Sequence, residues 1–375
     1  MSIKDTLKNN LLYVNKHKTH SEAIIIACYF NPQNNPYRLK AFNTFYESIK
    51  HLNHHIIECV IGDSKAQLET SKNISRIKTK NLLWHKESLL NKIVKDLPSK
   101  YKYIFWLDAD VIFANKNWLI EGVEALKTNN IIQPFEYCVH LEKYETKPNF
   151  NLDEWRENVS DPKSRHPRMW KSFCSNNASG LSKDDNYDKH GHVGFAWGAR
   201  REILEAVPLY DRALVGGADH IIAHAAAGHI PHSCITKSFT DDIYAVNEWS
   251  RKFYAVGKGK IGYVKGDLYH IWHGDLKDRQ YLKRIQEFTP ISKDITDKDA
   301  NGLHITKDDT YVKEYFNKRE VKPDNYDNSF VESLVVGYAT DSMFTGNLIG
   351  GNPLGAMMGE MLADESKEDN NENFS

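Results

Sequence analysis

The most constraining feature of this 375-residue chain is an apolar run that ends in two acidic residues. Tyr103 to Leu107 is long enough for one buried strand, and Asp108 and Asp110 follow it directly. Because an unpaired buried carboxylate is costly, such a strand end predicts a positively charged partner. In open α/β sheets, ligands bind at the carboxyl ends of the strands. Two carboxylates there suit a hard divalent cation, and that cation suits a diphosphate.

The same spacing of acids occurs once more, at Asp297 and Asp299, but in a polar run with no apolar strand before it. That copy predicts exposed, solvated surface. Spacing alone is therefore a weak signal, and the rest of the chain has to supply the partners of Asp108 and Asp110.

Composition excludes several classes of protein. Lys and Arg number 49 against 50 Asp and Glu, so there is no overall positive charge to attract nucleic acid. The five cysteines are scattered without a CxxC pair, which favours reduced thiols over a disulfide framework or a zinc ribbon. Residues 1–20 lack the apolar core of a signal peptide, and no run of 18 apolar residues occurs. We therefore expect a soluble, cytoplasmic protein (host cytoplasm if viral) without a membrane span.

Apolar runs alternate with helical patterns along most of the chain. Strands are predicted at 23–30, 56–61, 103–107, 131–135 and 193–197, with a strand pair inside 261–272. Helices are predicted at 37–51, 83–97, 117–127, 200–207, 219–228 and 277–287. This alternation predicts an α/β fold with a mostly parallel central sheet and helices on both faces.

The domain organisation predicted is an N-terminal extension at 1–20, one α/β domain at 21–324, and a tail at 325–375. Within the domain, residues 144–190 are polar and predict a long loop over the site. The tail is first glycine-rich and then acidic, so we expect it to be partly disordered and able to serve self-association.

Three further clusters are candidates for chemistry. Lys86, at the start of the helix before the acidic strand, can meet a phosphate or uridine, and Trp84 beside it can stack on a base; alternatively this is an ordinary helix start with a solvated lysine. Asp219 follows Gly216 and Gly217, which allow close backbone approach, and can accept a proton from an acceptor hydroxyl. The alternative role for Asp219 is helix capping, and His220 is a weaker candidate for the base.

The third cluster is His270 and His273, which follow a predicted strand and precede a glycine. One or both imidazoles can complete the coordination of a metal ion held by Asp110. His273, beside Gly274, is the preferred ligand of the two.

Taken in order, the motifs WHKESLLN, WLDADVIF, GFAWGARRE, GGADH and HIWHG resemble those of GT-A fold glycosyltransferases that use nucleotide-sugars. The layout is similar to the inverting β-1,4-galactosyltransferase type and to phage and bacterial glycosyltransferase-like proteins. The resemblance spans about residues 21 to 320 and leaves out 144–190 and the tail.

The resemblance also implies roles for individual residues. It implies that Asp108 faces the donor's ribose or sugar, that Asp110 and His273 bind the metal, and that Asp219 is the general base. It further implies a nucleotide-binding loop formed by Tyr29, Phe30 and Asn31, a position near the base at Asp63, and a donor-binding helix with Trp84, Lys86 and Asn91.

This sequence departs from that pattern at two positions. Where that pattern has two consecutive acids after the glycines, this chain has Asp219 followed by His220, which leaves the identity of the general base less certain. A histidine also stands at position 270, where the galactosyltransferase type can carry a methionine.

The resemblance implies an inverting transfer of sugar from a UDP-sugar to a hydroxyl acceptor, with Mn²⁺ or Mg²⁺ as cofactor. Glycan, lipid-linked sugar, protein and modified DNA base all stay open as acceptors. Two other readings stay open as well. A haloacid-dehalogenase-type phosphatase would use Asp108 as nucleophile and Mg²⁺, and a non-catalytic scaffold would use the tail for assembly.

Overall fold

The computed structural model describes residues 17–159, 163–177, 190–229, 235, 242–275, 297–306 and 309–318. The predicted helix at 277–287, the tail at 325–375 and most of the N-terminal extension lie outside these residues.

A seven-stranded sheet forms the centre of the fold. Its strands in chain order are β1 (Ala23–Tyr29), β2 (His54–Ile61), β3 (Ile74–Thr79), β4 (Tyr103–Leu107), β6 (Ile131–Gln133), β9 (Ala196–Arg200) and β10 (Ile261–Tyr263). Their order across the sheet is β10-β6-β9-β4-β1-β2-β3. All neighbours pair in parallel except β9, which is antiparallel to both β4 and β6. The predicted mostly parallel α/β architecture is confirmed.

Strand β1 shows why the sheet needs cover on both faces. Ile24 and Ile26 pack into one apolar cluster, whereas Ala23, Ile25 and Ala27 pack into another on the opposite face. Alternate side chains of a strand point to opposite faces, so a strand that is apolar throughout must be covered twice. Cover on both faces of the sheet therefore explains why the β1 segment is a continuous apolar run in the sequence.

Helices supply the cover. They are α1 (Pro36–Ile49), α2 (Lys86–Asp96), α3 (Trp118–Thr128), α4 (Leu152–Arg156), α5 (Phe173–Asn176), α6 (Arg201–Ala206), α7 (Ala218–Ala227), α8 (Ile243–Gly257) and α9 (Thr310–Lys318). The sequence analysis missed α8, which packs against α7. Helix α2 begins three residues later than predicted. Trp84 precedes it, with its backbone N–H donating to the Leu214 carbonyl at 2.9 Å.

A second sheet of four strands stands beside the first. Its order is β5-β11-β7-β8, formed by Val111–Phe113, Asp267–His270, Tyr137–His140 and Met169–Lys171. The strand pair predicted within 261–272 is present, but β10 belongs to the seven-stranded sheet and β11 to this one.

The described part of the predicted polar loop at 144–190 contains short regular elements. Strand β8 pairs antiparallel with β7 and buries Met169 completely, and α4 and α5 flank it. Strand β8 has only three residues, too few for a periodicity to show in the sequence.

The second copy of the acidic spacing lies on the surface, as expected. Asp297 and Lys298 are exposed, although they form a short strand, β12, that pairs with β13 (His304–Ile305).

Candidate active site

The carboxyl end of β4 lies in the middle of the central sheet, between β1 and β9. Asp108 is tied there to the segment that enters β9. Its backbone N–H donates to the Phe195 carbonyl at 2.7 Å, and its Oδ2 accepts from the Phe195 N–H at 3.2 Å. Asp110 leads into β5, and its carbonyl accepts from the Ile271 N–H at 2.8 Å. The sheet therefore fixes the backbone at both acids.

Asp110, His270 and His273 converge into one cluster. The pairing of β11 with β5 brings His270 opposite Val111 and so beside Asp110. Asp110 Oδ2 lies 2.9 Å from His273 Nε2 and 3.8 Å from His270 Nε2. One ligand atom from each residue falls within 4.8 Å of the others. The side chains of the two histidines are 3% and 4% exposed and that of Asp110 is 13% exposed, so water is largely excluded.

The electrostatics of this cluster favour a cation. Burial alone would raise the pKa of Asp110, but the imidazoles of His270 and His273 outweigh that effect and hold the pKa well below its usual range. Asp110 Oδ1 is buried and, among the described residues, has no hydrogen-bond partner. A buried carboxylate oxygen without a donor is costly. One carboxylate and two imidazoles form a donor set that fits Mn²⁺ and similar ions.

A second group, next to the first, consists of Lys86, Asp108 and Asp219. Lys86 Nζ lies 2.7 Å from Asp108 Oδ1 and 3.0 Å from Asp219 Oδ2. It also donates to Asp219 Oδ1 at 3.2 Å. Residue 86 begins α2 and residue 219 lies in the first turn of α7, so two helix N-termini meet the end of β4.

This ion-pair group has shifted acidities. Burial would lower the pKa of Lys86, but Asp108 and Asp219 hold it well above its usual value, so the ammonium stays charged. Burial raises the pKa of Asp108 to about 6; the neighbouring acids add to the rise and Lys86 opposes it. A bridging lysine between two acids explains how both carboxylates can be tolerated in one enclosed place.

The two glycines before Asp219 adopt a backbone conformation that favours glycine. Gly216 and Gly217 have φ angles of 88° and 95°, a left-handed conformation that side chains disfavour. Gly217 is the cap residue of α7, and no side-chain hydrogen bond caps this helix. The capping alternative for Asp219 is therefore not what the structure has, because its carboxylate contacts Lys86 instead.

The structure does not bring His220 into this group. Its side chain is 2% exposed, and its ring lies among those of His190 and His224, at centroid distances of 5.1 and 5.0 Å. The Asn91 side chain also lies outside this group. Its amide nitrogen donates to the Leu209 carbonyl and its amide oxygen accepts from the Leu209 N–H, both at 2.8 Å. Its position joins α2 to the residues after α6.

Hydrogen bonds of its own side chains stabilise the loop after β1. Tyr29 is buried, and its hydroxyl donates to Gln67 Oε1 at 2.7 Å. The Asn31 amide donates to the same oxygen at 3.0 Å and to the Asn35 carbonyl at 2.9 Å. Tyr29 and Asn31 therefore shape the loop, while Phe30 lines a small cleft together with Arg38 and His273.

Trp84 and Asp63 complete the predicted set. The Trp84 indole stacks on Phe316 of α9 at 5.0 Å and meets the edge of Phe30 at 6.2 Å. A base that stacked on the same face would have to replace Phe316. Asp63 is exposed in the turn after β2, at the carboxyl edge of the sheet.

Three residues of the site escaped the sequence analysis. Phe195 has a φ of 80°, unusual for a residue with a large side chain, and its ring stacks on His270 at 5.0 Å. Arg38 donates to the Phe30 carbonyl at 2.9 Å and helps to lower the pKa of Asp110. Glu87 is buried beside Lys86, and burial raises its pKa to about 8. The one available signal was for Glu87, an acid directly after the candidate lysine.

Among the described residues, no helix combines the length and the apolar character that crossing a membrane requires.

No family model matches this chain, and no curated protein matches it. Several solved structures do overlap with it. The catalytic domain of Drosophila β1,4-galactosyltransferase 7, in complex with xylobiose, has 11% identity over 78% of this chain and 97% of that chain, with a TM-score of 0.33. Glucosyl-3-phosphoglycerate synthase from Mycobacterium tuberculosis, in complex with Mn²⁺ and UDP-glucose, has 9% identity over 82% and 91%, also at 0.33.

Mannosyl-3-phosphoglycerate synthase from Rubrobacter xylanophilus has 9% identity over 86% of this chain and 82% of that chain, with a TM-score of 0.33. At these identities and TM-scores, the function of this chain has to be argued from its own residues.

Proposed function

We propose that this chain is a metal-dependent glycosyltransferase that moves a sugar from a UDP-sugar to a hydroxyl acceptor with inversion. The observation that carries the proposal is the pairing of two groups at one sheet edge. Asp110, His270 and His273 form a cation site, and Lys86, Asp108 and Asp219 form a charged group directly beside it. Transfer from a nucleotide-sugar needs both, since one group has to meet a diphosphate and the other a hydroxyl.

The cation site fits the cofactor that the sequence implied. Asp110, His270 and His273 would hold Mn²⁺, and two imidazoles favour it over Mg²⁺, which prefers oxygen donors. When bound, the ion supplies positive charge that stabilises the departing nucleoside diphosphate. The buried, unpartnered Oδ1 of Asp110 is the oxygen that such an ion would satisfy.

The residues around Asp219 have the arrangement of a general base. Lys86 Nζ lies within 3.2 Å of both oxygens of Asp219, which orients the carboxylate. Asp219 then accepts the proton of the acceptor hydroxyl as that oxygen attacks the anomeric carbon. Asp108 shares Lys86 with Asp219 and faces the donor sugar. A positioned base contributes about 10²–10⁴-fold in rate.

The phosphatase alternative asks Asp108 to act as a nucleophile. Its Oδ1 is 2.7 Å from the Lys86 ammonium and its Oδ2 accepts from the Phe195 N–H at 3.2 Å. This alternative also needs Mg²⁺, which prefers oxygen ligands, whereas the cluster next to Asp108 contributes two imidazoles. This observation favours the transferase.

The donor experiment measures nucleotide-sugar binding and slow hydrolysis across UDP-, GDP- and CMP-sugars, with and without Mn²⁺. Wild type is compared with Asp110→Asn and with Asp297→Asn, a control that changes the exposed copy of the acidic spacing. We expect a UDP-sugar to respond only with metal, in wild type and Asp297→Asn but not in Asp110→Asn. Wild-type behaviour of folded Asp110→Asn would refute the cation site.

The base is tested separately with Asp219→Asn. This variant should bind the donor normally but transfer the sugar about 10²–10⁴-fold more slowly. Acceptors to be screened are glycans, lipid-linked sugars, proteins and DNA with modified bases. The anomeric configuration of the product, read by NMR, tests inversion; retention would rule out the assigned role of Asp219.

A further inference from the structure

A second group of potential metal ligands lies outside the site described above. His190, His220 and His224 each offer one ring nitrogen, and these nitrogens lie within 4.8 Å of one another. The three ring centroids are 5.0 to 5.1 Å apart, which makes the group nearly symmetrical. All three side chains are at most 2% exposed.

Helix α7 sets two of the three positions. His220 and His224 are four residues apart, so they lie on the same face of the helix, one turn after the other. Two histidines at this spacing on a helix are a recurring way to hold zinc. Asp219, one residue earlier, points to a different side of the same turn and contacts Lys86.

The third position is fixed by hydrogen bonds around His190. Its Nδ1 donates to the Gly191 carbonyl at 2.8 Å, so the lone pair of the ring is on Nε2. Asn177 donates to the His190 carbonyl at 3.1 Å and holds the backbone. Gly191 has a φ of 88°, and a Cβ there would lie 2.8 Å from the Ser172 carbonyl. The chain therefore passes close to α5 just where His190 turns inward.

The surroundings favour a bound ion over hydration. Phe173 covers the group, with its ring 5.7 Å from that of His190 and 5.3 Å from that of His224. Three possible imidazole ligands are thus buried together in one enclosed place. Zinc bound by imidazoles at about 2.0–2.1 Å places ligand nitrogens roughly 3.4 Å apart in a tetrahedron. Small side-chain rotations would bring these nitrogens from within 4.8 Å to that spacing.

We propose that His190, His220 and His224 bind one divalent transition-metal ion, for which Zn²⁺ is the best fit. Three nitrogen donors without a carboxylate select zinc-like ions over Mn²⁺, Mg²⁺ and Ca²⁺. The site is separate from the Asp110 cluster and does not depend on the proposed transferase activity. It would join the residues leading into β9, where Phe195 contacts Asp108, to α7, which carries Asp219.

The test counts metal ions in the full-length chain. Protein freed of metal with a chelator is given Zn²⁺ or Co²⁺, dialysed, and analysed for bound metal. The double variant Asp110→Asn/His273→Gln removes the first cluster, and adding His224→Gln to it removes the second. The matched control adds His54→Gln, which changes another buried histidine.

We expect one tightly held ion per chain in the double variant and in the control, with the visible bands of four-coordinate Co²⁺, and none when His224→Gln is added. X-ray absorption at the zinc edge should count three imidazoles. Zinc should also raise the melting temperature of the double variant by about 5 °C at saturating metal.

Absence of a tightly bound ion in the folded double variant would overturn the proposal, and the three rings would then be neutral packing residues. Fewer than three imidazoles at the bound zinc would overturn it as well. If the His224→Gln chain does not fold, the stoichiometry and the imidazole count of the double variant still decide the question.

Discussion

Replacing Lys86 by methionine tests how strongly the ammonium of Lys86 stabilises the two acids at the end of β4. Methionine keeps much of the length and apolar character of the lysine stem but removes the ammonium. Asp108 and Asp219 would then face each other in an enclosed place without a cation. Residues 86, 108 and 219 are far apart in the sequence, so a strong energetic link between them can arise only from the fold.

The size of the effect follows from the distances and the exposure. At 2.7 Å from Asp108, and with an effective dielectric constant of about 20, the attraction alone is about 6 kcal/mol. The cost of removing the charges from water offsets part of this. The side chains of Lys86, Asp108 and Asp219 are 15%, 28% and 21% exposed, so solvent screening is limited. Breaking one partner out of such a pair costs about 3–5 kcal/mol.

The assay is urea unfolding followed by circular dichroism, at pH 7 and without added metal. Lys86→Met, Asp219→Asn and the double variant form one thermodynamic cycle. We expect Lys86→Met to lower the free energy of unfolding by about 3–5 kcal/mol. The double variant should lose less than the sum of the two single losses, by about 1–3 kcal/mol.

Lys102→Met is the matched control. Lys102 pairs with Glu22 on the surface, where their side chains are 64% and 39% exposed. Because solvent screens this pair, Lys102→Met should leave the free energy of unfolding almost unchanged. A Lys86→Met loss as small as that of the control, or single losses that simply add, would refute the assigned contact between Lys86 and Asp219.

Two further predictions concern stability. Burial lowers the pKa of His17 from 6.5 to about 4, so the folded state favours the neutral ring; the associated stability is complete above pH 6.5 and is lost as the pH falls towards 4. Between pH 7 and pH 4, the free energy of unfolding measured by urea titration should therefore fall by up to about 3 kcal/mol less in His17→Gln than in wild type. Equal decreases in the two proteins would contradict the burial of His17. Gly198→Ala would place a Cβ 2.6 Å from the Phe105 ring, so its free energy of unfolding should fall by about 1–3 kcal/mol. Gly257→Ala, where the nearest atom is the end of Ile131 at 3.3 Å, should change it by less than that, and equal losses would contradict the packing of β9 on β4.

The parts of the fold that could be predicted were those with strong patterns. Strands β1 and β4 are continuous apolar runs, and β2 is apolar over most of its second half, because they lie inside the sheet with both faces covered. Strand β3, with the sequence ISRIKT, is at the sheet edge and alternates buried with exposed side chains, so its short polar run was missed. The pairing partners of β7 and β8 are set by contacts distant in sequence, which no local pattern records.

For the site, the sequence could predict which segments meet but not which way each side chain points. Asp219 and His220 were both candidates for the base because they are adjacent. Consecutive residues on a helix point about 100° apart, so only one of the two can face the end of β4. Asp219 does, whereas the His220 ring lies beside those of His190 and His224. Asn91 likewise shares α2 with Lys86, but its side chain faces Leu209.

The position of β9 has a consequence for how the protein is made. This strand lies between β4 and β6 and is the link between a four-stranded block, β4-β1-β2-β3, and the pair β6-β10. During synthesis, one edge of β4 stays unpaired until residues 196–200, which form β9, have left the ribosome. Trp106 pairs with Trp197 across that edge, so the waiting chain exposes a large apolar surface. The residues that fix Asp108 arrive in the same segment, and the reactive edge of the sheet can therefore form only after most of the described chain has been translated.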